Sequence, residues 1–124
     1  MPIYMEARMR IEVYAEGGQF APARIAEALR TTKDEVARTV GLGRDAVMRP
    51  DRVASPKTQK RLREMVEILN RVAPRFGSPL IAYAWYRSEP LTGFGGLTAM
   101  QLVRDGHAAE VMDYIDAVEA GLYA

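Results

Sequence analysis

The feature that most constrains the fold is a long apolar stripe in the middle of the chain. Ser55-Pro56 pairs a helix-capping side chain with a residue suited to the first helical turn. Behind this start, apolar residues recur at spacings of three and four: Leu62, Met65, Val66, Leu69, Val72 and Phe76. The pattern predicts an amphipathic helix of about 20 residues that carries the core. We therefore expect a mainly α fold.

Shorter helices are predicted before this central one. Pro22 suits a first helical position, and a short apolar stripe follows it. Thr32 and Glu35 have the spacing of a capping box, so a second helix should begin there. Gly41 ends it, because glycine adopts a left-handed conformation without steric cost. One further turn fits residues 44–48, before a proline.

Three helices are predicted after the central one. Ser78-Pro79 repeats its start signal, for a helix that stops before Pro90 and carries the apolar residues Leu80, Ile81, Ala84 and Trp85. A glycine-rich loop, residues 93–96, leads to a helix capped by Thr98. The last helix carries Val111, Met112, Ile115 and Val118 and ends at Gly121.

Residues 1–20 do not follow a helical pattern. Met9, Ile11 and Val13 alternate with charged residues until Gly17-Gly18 interrupts the run. This alternation predicts either a strand or a mobile arm. Because a lone strand is not stable, an ordered strand should pair with a second copy of the chain or with a partner.

Charge divides the chain into two parts. Residues 22–63 contain 11 Lys and Arg against 5 Asp and Glu, a net charge of +6, whereas residues 76–124 contain 2 against 6, a net charge of −4. Clustered positive charge is typical of phosphate contact, although a charge run is more often a solvated face. The two parts are expected to face different partners.

Composition excludes several classes of protein. The chain has no cysteine and one histidine, so it can form neither a disulfide framework nor a thiolate metal site, and we expect no metal and no cofactor. No run of apolar residues is long enough to span a membrane, and the first residues lack a signal-peptide pattern. These features predict a cytoplasmic protein that does not enter the membrane.

Residues 33–50 have the interior of a helix-turn-helix. That geometry needs a small residue where the helices cross, here Ala37, a glycine four positions later, here Gly41, and apolar residues that lock the angle, here Val36, Val40, Leu42 and Val47. The predicted recognition helix presents Arg44, Asp45, Met48 and Arg49 toward a major groove. Pro50 stops that helix early, so the DNA backbone would also be held by Arg52, Lys57, Lys60 and Arg61.

The last 50 or so residues carry an ordered set of landmarks: Phe76-Gly77, Trp85, Pro90, Leu91, Gly95-Gly96, Met100, Leu102-Val103, Gly106, Val111, Ile115 and the final Gly121, Leu122, Tyr123 and Ala124. This arrangement resembles the Xre/MbcA/ParS toxin-binding domain of RES-Xre type II antitoxins. In that family a proline usually follows the capping residue after the glycine loop, whereas this chain has Ala99 there.

The resemblance implies an antitoxin with two partners. One is a RES-domain toxin that consumes NAD and whose active site the antitoxin's C-terminal region blocks; the residues at that end are Gly121, Leu122, Tyr123 and Ala124. The other is operator DNA, to which the antitoxin binds to repress its own operon. We expect at least a homodimer, because one short helix-turn-helix reads too few bases.

The expected order along the chain has three parts. Residues 1–20 form an N-terminal arm or strand, residues 21–76 an Xre-like helix-turn-helix bundle that binds DNA, and residues 77–124 a small helical toxin-binding module. Two alternatives stay open. In one, the protein is a plain transcriptional regulator whose C-terminal half only dimerises.

The other alternative is an enzyme, which has little support in the sequence. We expect the protein to have no enzymatic activity. His107 lies near Asp105 and Glu110 in sequence, but a lone histidine at a helix start is far more often a cap or a surface residue than a base. The loop at residues 93–96 lacks the Lys-Ser/Thr that follows a phosphate-binding loop.

Overall fold

The computed structural model describes residues 11–121. It is mainly helical, which confirms the predicted fold class. A two-stranded sheet is formed by β1 (Ala15–Glu16) and β2 (Gln19–Phe20). The helices are α1 (Ile11–Tyr14), α2 (Pro22–Ala28), α3 (Lys33–Val40), α4 (Asp45–Met48), α5 (Pro50–Val53), α6 (Pro56–Phe76), α7 (Pro79–Ser88), α8 (Ala99–Arg104) and α9 (Ala108–Glu119).

The helix starts follow the capping signals of the sequence. The Ser55 hydroxyl accepts a hydrogen bond from the Thr58 N–H, 3.3 Å away, at the start of α6. Thr98 and Gln101 cap each other's backbone reciprocally at the start of α8, so the helix start forms with Ala99 at its first position. At α3 only one half of the predicted capping box forms: Thr32 accepts from the Glu35 N–H, but the Glu35 carboxylate bonds Arg38.

The described part of the N-terminal segment contains strands, as predicted, but only over residues 15–16 and 19–20. Residues 11–14 are helical rather than extended, and β1 pairs with β2 of the same chain across a turn at Gly17-Gly18, where both φ angles are positive. The expectation of pairing with a second chain is therefore wrong for these residues. Gln59 of α6 accepts from the Phe20 N–H and donates to the Phe20 carbonyl, which attaches the hairpin to the central helix. The expectation for residues 1–10 lies outside the described residues.

Helix α6 forms the centre of the core, as predicted. Five of its six predicted stripe residues are fully buried, and Phe76, at its last turn, is partly buried. One apolar cluster surrounds this helix and includes residues of each predicted part of the chain, from Tyr14 through Val36 to Ile115. The predicted boundary at residue 77 therefore falls at the left-handed C-cap Gly77 of α6, and the segments on both sides share one core.

Of the four apolar residues that the sequence indicated for helix α7, only Trp85 is fully in the core. The core residues of this helix are Ala82, Tyr83, Trp85 and Tyr86, whereas Ile81 is 53% exposed and Ala84 is also exposed. The helix packs against both α6 and α8, so its buried arc is wide and is set by two neighbours rather than by the most aliphatic stripe. Two tyrosines thus occupy the interior between α7 and the rest of the fold.

Candidate functional site

The first candidate site is the pair of helices α3 and α4 with the turn that joins them. Gly41 ends α3 in a left-handed conformation, with φ 76°, and the next N–H, of Leu42, donates to the Ala37 carbonyl. Val36, Ala37, Val40 and Val47 are buried, and Leu42 is partly buried. The residues predicted to lock the crossing therefore lie in the interior, and Val36 and Val40 belong to the main apolar cluster.

Helix α4 is a single turn. It begins at Asp45, one residue later than predicted, and Arg49 after it is extended because a proline follows. Pro50 does more than stop this helix: it stands at the first position of the next one, α5. The surface that could enter the major groove of DNA is therefore limited to one helical turn and to Arg44 and Arg49 on either side of it.

The side chains predicted to read bases are at the surface. Asp45, Arg44 and Arg49 are exposed, and Met48 is half-buried. The Arg44 guanidinium lies 3.3 Å from an Asp34 carboxylate oxygen, and that of Arg49 lies 3.6 Å from Asp51. Exposed pairs of this kind contribute little net free energy, so both arginines can exchange their carboxylates for another acceptor.

The four residues predicted to clamp the DNA backbone divide into two groups. Arg52, Lys57 and Lys60 are exposed, and the first two line one surface pocket at the start of α6. Arg61 is half-buried, and its guanidinium donates to the carbonyl of Val103 in α8. Arg61 thus connects the central helix to the C-terminal part of the chain, a role that its position in a basic run did not indicate.

Two further contacts join α3 to the C-terminal helices. The hydroxyl of Tyr86 donates to the carbonyl of Thr39 over 2.7 Å, and both residues are fully buried. Burial raises the pKa of Tyr86 well above its usual value, so the hydroxyl stays protonated and remains a donor at neutral pH. Gly41 lies against the backbone of Arg104: a Cβ at this position would stand 3.0 Å from the Arg104 Cα. Sequence spacing gave no signal for either contact.

The second candidate site is the C-terminal end. The Arg71 guanidinium of α6 lies 2.5 Å from a carboxylate oxygen of Asp116 and 2.9 Å from one of Glu119, and these hydrogen bonds raise the pKa of Arg71. They hold the last turns of α9 against the central helix. Gly121 follows α9 with φ 83° and is exposed. Of the four predicted toxin-binding residues only Gly121 is described; Leu122, Tyr123 and Ala124 lie outside the described residues.

The features behind the enzyme alternative form no recognisable centre. His107 is exposed at the start of α9 and its ring nitrogen lies 3.2 Å from a Glu110 carboxylate oxygen. The two ends of the glycine loop are joined by a hydrogen bond from the Leu91 N–H to the Leu97 carbonyl. Phe94 of the loop packs edge-on against Tyr114 of α9. Within residues 11–121, no group of three or more acidic, histidine or cysteine side chains could hold a metal ion. No helix in that range is long and apolar enough to cross a bilayer.

The chain was compared with known protein families, curated proteins and solved structures. Residues 71–121 match the model of the antitoxin Xre/MbcA/ParS C-terminal toxin-binding domain. The match covers less than half of the chain; it contains α7, α8 and α9 and begins in the last turns of α6. No curated protein and no solved structure gives a match. The resemblance inferred from the C-terminal landmarks is thus confirmed at the level of this toxin-binding domain, which supports a type II antitoxin with a toxin as partner.

Proposed function

We propose that this chain is the antitoxin of a type II toxin-antitoxin pair that neutralises a RES-domain, NAD-consuming toxin and represses its own operon by binding operator DNA. The observation that carries the proposal is the match of residues 71–121 to an antitoxin toxin-binding domain. That segment shares one core with α3, the first helix of the basic pair, through Val36 and Val40. One compact chain would then present a DNA surface and a toxin surface together.

Support for operator binding comes from the surface around α4. Arg44 and Arg49 flank a short helix whose inner side, at Val47, is buried, so their guanidinium groups point away from the core and are exposed. Arg52 of α5 and Lys57 of α6 line one surface pocket with Gly43 and Asp45, next to the same turn. In the proposal α3 and α4 are a helix-turn-helix: the first two arginines contact base edges or phosphates, and Arg52, Lys57 and Lys60 contact the backbone.

Support for toxin binding comes from the C-terminal end of the matched domain. In the proposal Gly121, Leu122, Tyr123 and Ala124 enter the toxin's active-site cleft. A tyrosine next to a chain end is suited to fill a pocket, because its ring buries a large area at a low cost in side-chain entropy. Residues 76–124 carry a net charge of −4, which would favour a toxin with a basic surface.

Two variants, each the control of the other, test the proposal. One lacks Leu122 to Ala124, and the other carries Arg44→Ala and Arg49→Ala. The truncated chain should bind its own promoter normally in a gel shift but fail to protect cells that co-express the neighbouring toxin gene. The double variant should protect the cells and lose the gel shift.

Each outcome has a defined meaning. Full protection by the truncated chain would remove the tail as the inhibitory element, and no copurification of the full chain with the neighbouring gene product would favour a plain regulator whose C-terminal half dimerises. An unchanged gel shift by the double variant would mean that the DNA surface does not lie at α4.

Light scattering should show at least a dimer. A chain that stays a monomer with DNA or toxin would contradict the repressor model.

A further inference from the structure

Arg104 belongs to the acidic part of the sequence but lies at the candidate DNA surface. It is the last residue of α8, inside the matched toxin-binding domain. Its side chain lines a surface groove, which we name the junction groove. The other residues of this groove are Asp34, Ala37, Arg38, Gly41, Leu42 and Arg44. The groove therefore joins the turn between α3 and α4 to the end of α8.

The approach of Arg104 to this turn depends on backbone packing. A Cβ at Gly41 would lie 3.0 Å from the Cα of Arg104 and 3.1 Å from its carbonyl oxygen, so only glycine lets the two segments approach so closely. One residue before Arg104, the Val103 carbonyl accepts a hydrogen bond from the guanidinium of Arg61 in α6. The last turn of α8 is thus held by contacts with both α6 and the turn after α3, which fixes where the Arg104 side chain begins.

The charges of the junction groove favour an anion. Arg38 pairs with Glu35 over 2.9 Å and Arg44 pairs with Asp34 over 3.3 Å. Arg104 is exposed and has no ion-pair partner within residues 11–121. Two of the three guanidinium groups are in exposed pairs that a stronger acceptor can replace, and the third has no carboxylate to displace among the described residues.

We propose that the junction groove binds a backbone phosphate of operator DNA and that Arg104 donates to it from the toxin-binding domain. This inference rests on the proposed operator binding. A phosphate fits better than a toxin carboxylate, because the groove is continuous with Arg44, at the start of the helix proposed to read bases, and guanidinium forks match phosphate oxygens. The toxin-binding domain then takes a direct part in DNA binding.

The test compares Arg104→Ala with Arg87→Ala. These are the only Lys or Arg residues in 76–124, and the Arg87 guanidinium lies over the ring of Tyr83, 4.2 Å from its centroid, rather than in the groove. Binding to the protein's own promoter duplex and to a scrambled duplex of equal length is measured by fluorescence anisotropy between 50 and 200 mM salt. Thermal melts of both variants serve as a folding control.

Each lost phosphate contact should make the slope of log K against log salt less negative by about 0.9, so the proposed homodimer, which loses one contact in each copy, should change by about 1.8. Between 50 and 200 mM salt the affinity of Arg104→Ala should therefore fall by a factor about 12 times smaller than the affinity of the parent chain. Its affinity for both duplexes should fall by a similar factor, since a phosphate contact carries no sequence information. Arg87→Ala should retain the parent slope.

Three results would overturn the inference. An unchanged slope in Arg104→Ala, with or without weaker binding, would mean that the side chain does not neutralise a phosphate. An unchanged DNA titration with weaker toxin copurification would assign Arg104 to the toxin interface. A parent chain that binds neither duplex would reject operator binding itself, and the role of Arg104 with it, whereas the first two results leave operator binding intact.

Discussion

Helices α3 and α4 differ in their contacts from residues 71–121, the segment that matches a toxin-binding domain. Around α4, arginines stand in exposed pairs with Asp34 and Asp51. In the matched segment, the buried Tyr86 and the Arg71 ion pairs connect helices to one another. Charges around α4 can therefore be changed with little loss of folding free energy. Contacts from residues 71–121, such as those of Tyr86 and Arg104, fix the position of α3 and of the turn that carries these charges.

The largest loss of stability is expected when the contact between Gly41 and Arg104 is broken. Gly41→Ala forces an L residue into a left-handed conformation and sets its Cβ 3.0 Å from the Arg104 Cα. We expect the free energy of unfolding in urea to fall by about 2 to 3 kcal/mol.

The matched control is Gly77→Ala. Gly77 has nearly the same φ, 79°, but nothing within 4 Å of its Cβ position, so only the backbone cost of about 1 kcal/mol should remain. Equal losses in the two variants would mean that packing between the turn and α8 does not contribute.

A smaller effect is expected from the buried hydrogen bond between the regions. Tyr86→Phe leaves the buried Thr39 carbonyl without its 2.7 Å donor and should lower the free energy of unfolding by about 1 to 2 kcal/mol. Tyr83→Phe is the control, because the Tyr83 hydroxyl is buried and has no hydrogen-bond partner within residues 11–121. Tyr83→Phe should be neutral; a loss as large as that of Tyr86→Phe would reflect ring packing and not the hydrogen bond.

The smallest effect on stability is expected at α4. The double variant Arg44→Ala and Arg49→Ala removes two exposed pairs and should change the free energy of unfolding by less than about 1 kcal/mol. Arg71→Ala removes one guanidinium that serves both Asp116 and Glu119, and should destabilise more. Thermal melts at equal concentration compare the two. If the double variant lost more stability than Arg71→Ala, the ion pairs around α4 would contribute more to folding than those of Arg71, the opposite of what is expected.

Much of the helical framework was predictable because its signals are local. The capping serines, the prolines at first turns and Gly41 act within a few residues of themselves, and each marks an observed helix boundary. The long stripe of α6 was predictable for the same reason. The resemblance of the C-terminal segment to a toxin-binding domain was also readable from residue landmarks, and residues 71–121 match the model of that domain.

The sequence by itself thus determined where the capped helices α3, α6, α7 and α8 begin, which helix is central and how charge divides along the chain. Tertiary structure alone decided that α7 buries Tyr83 and Tyr86 rather than Ile81, that Arg61 donates to Val103, and that Arg104 lines a groove with Arg44. Capping and periodicity depend on atoms one or two turns apart, so a sequence displays them. A buried face or a groove depends on which distant segments meet. Here α8 packs against α3 and α6, and this packing places Arg104 beside Arg44 and the Val103 carbonyl beside Arg61.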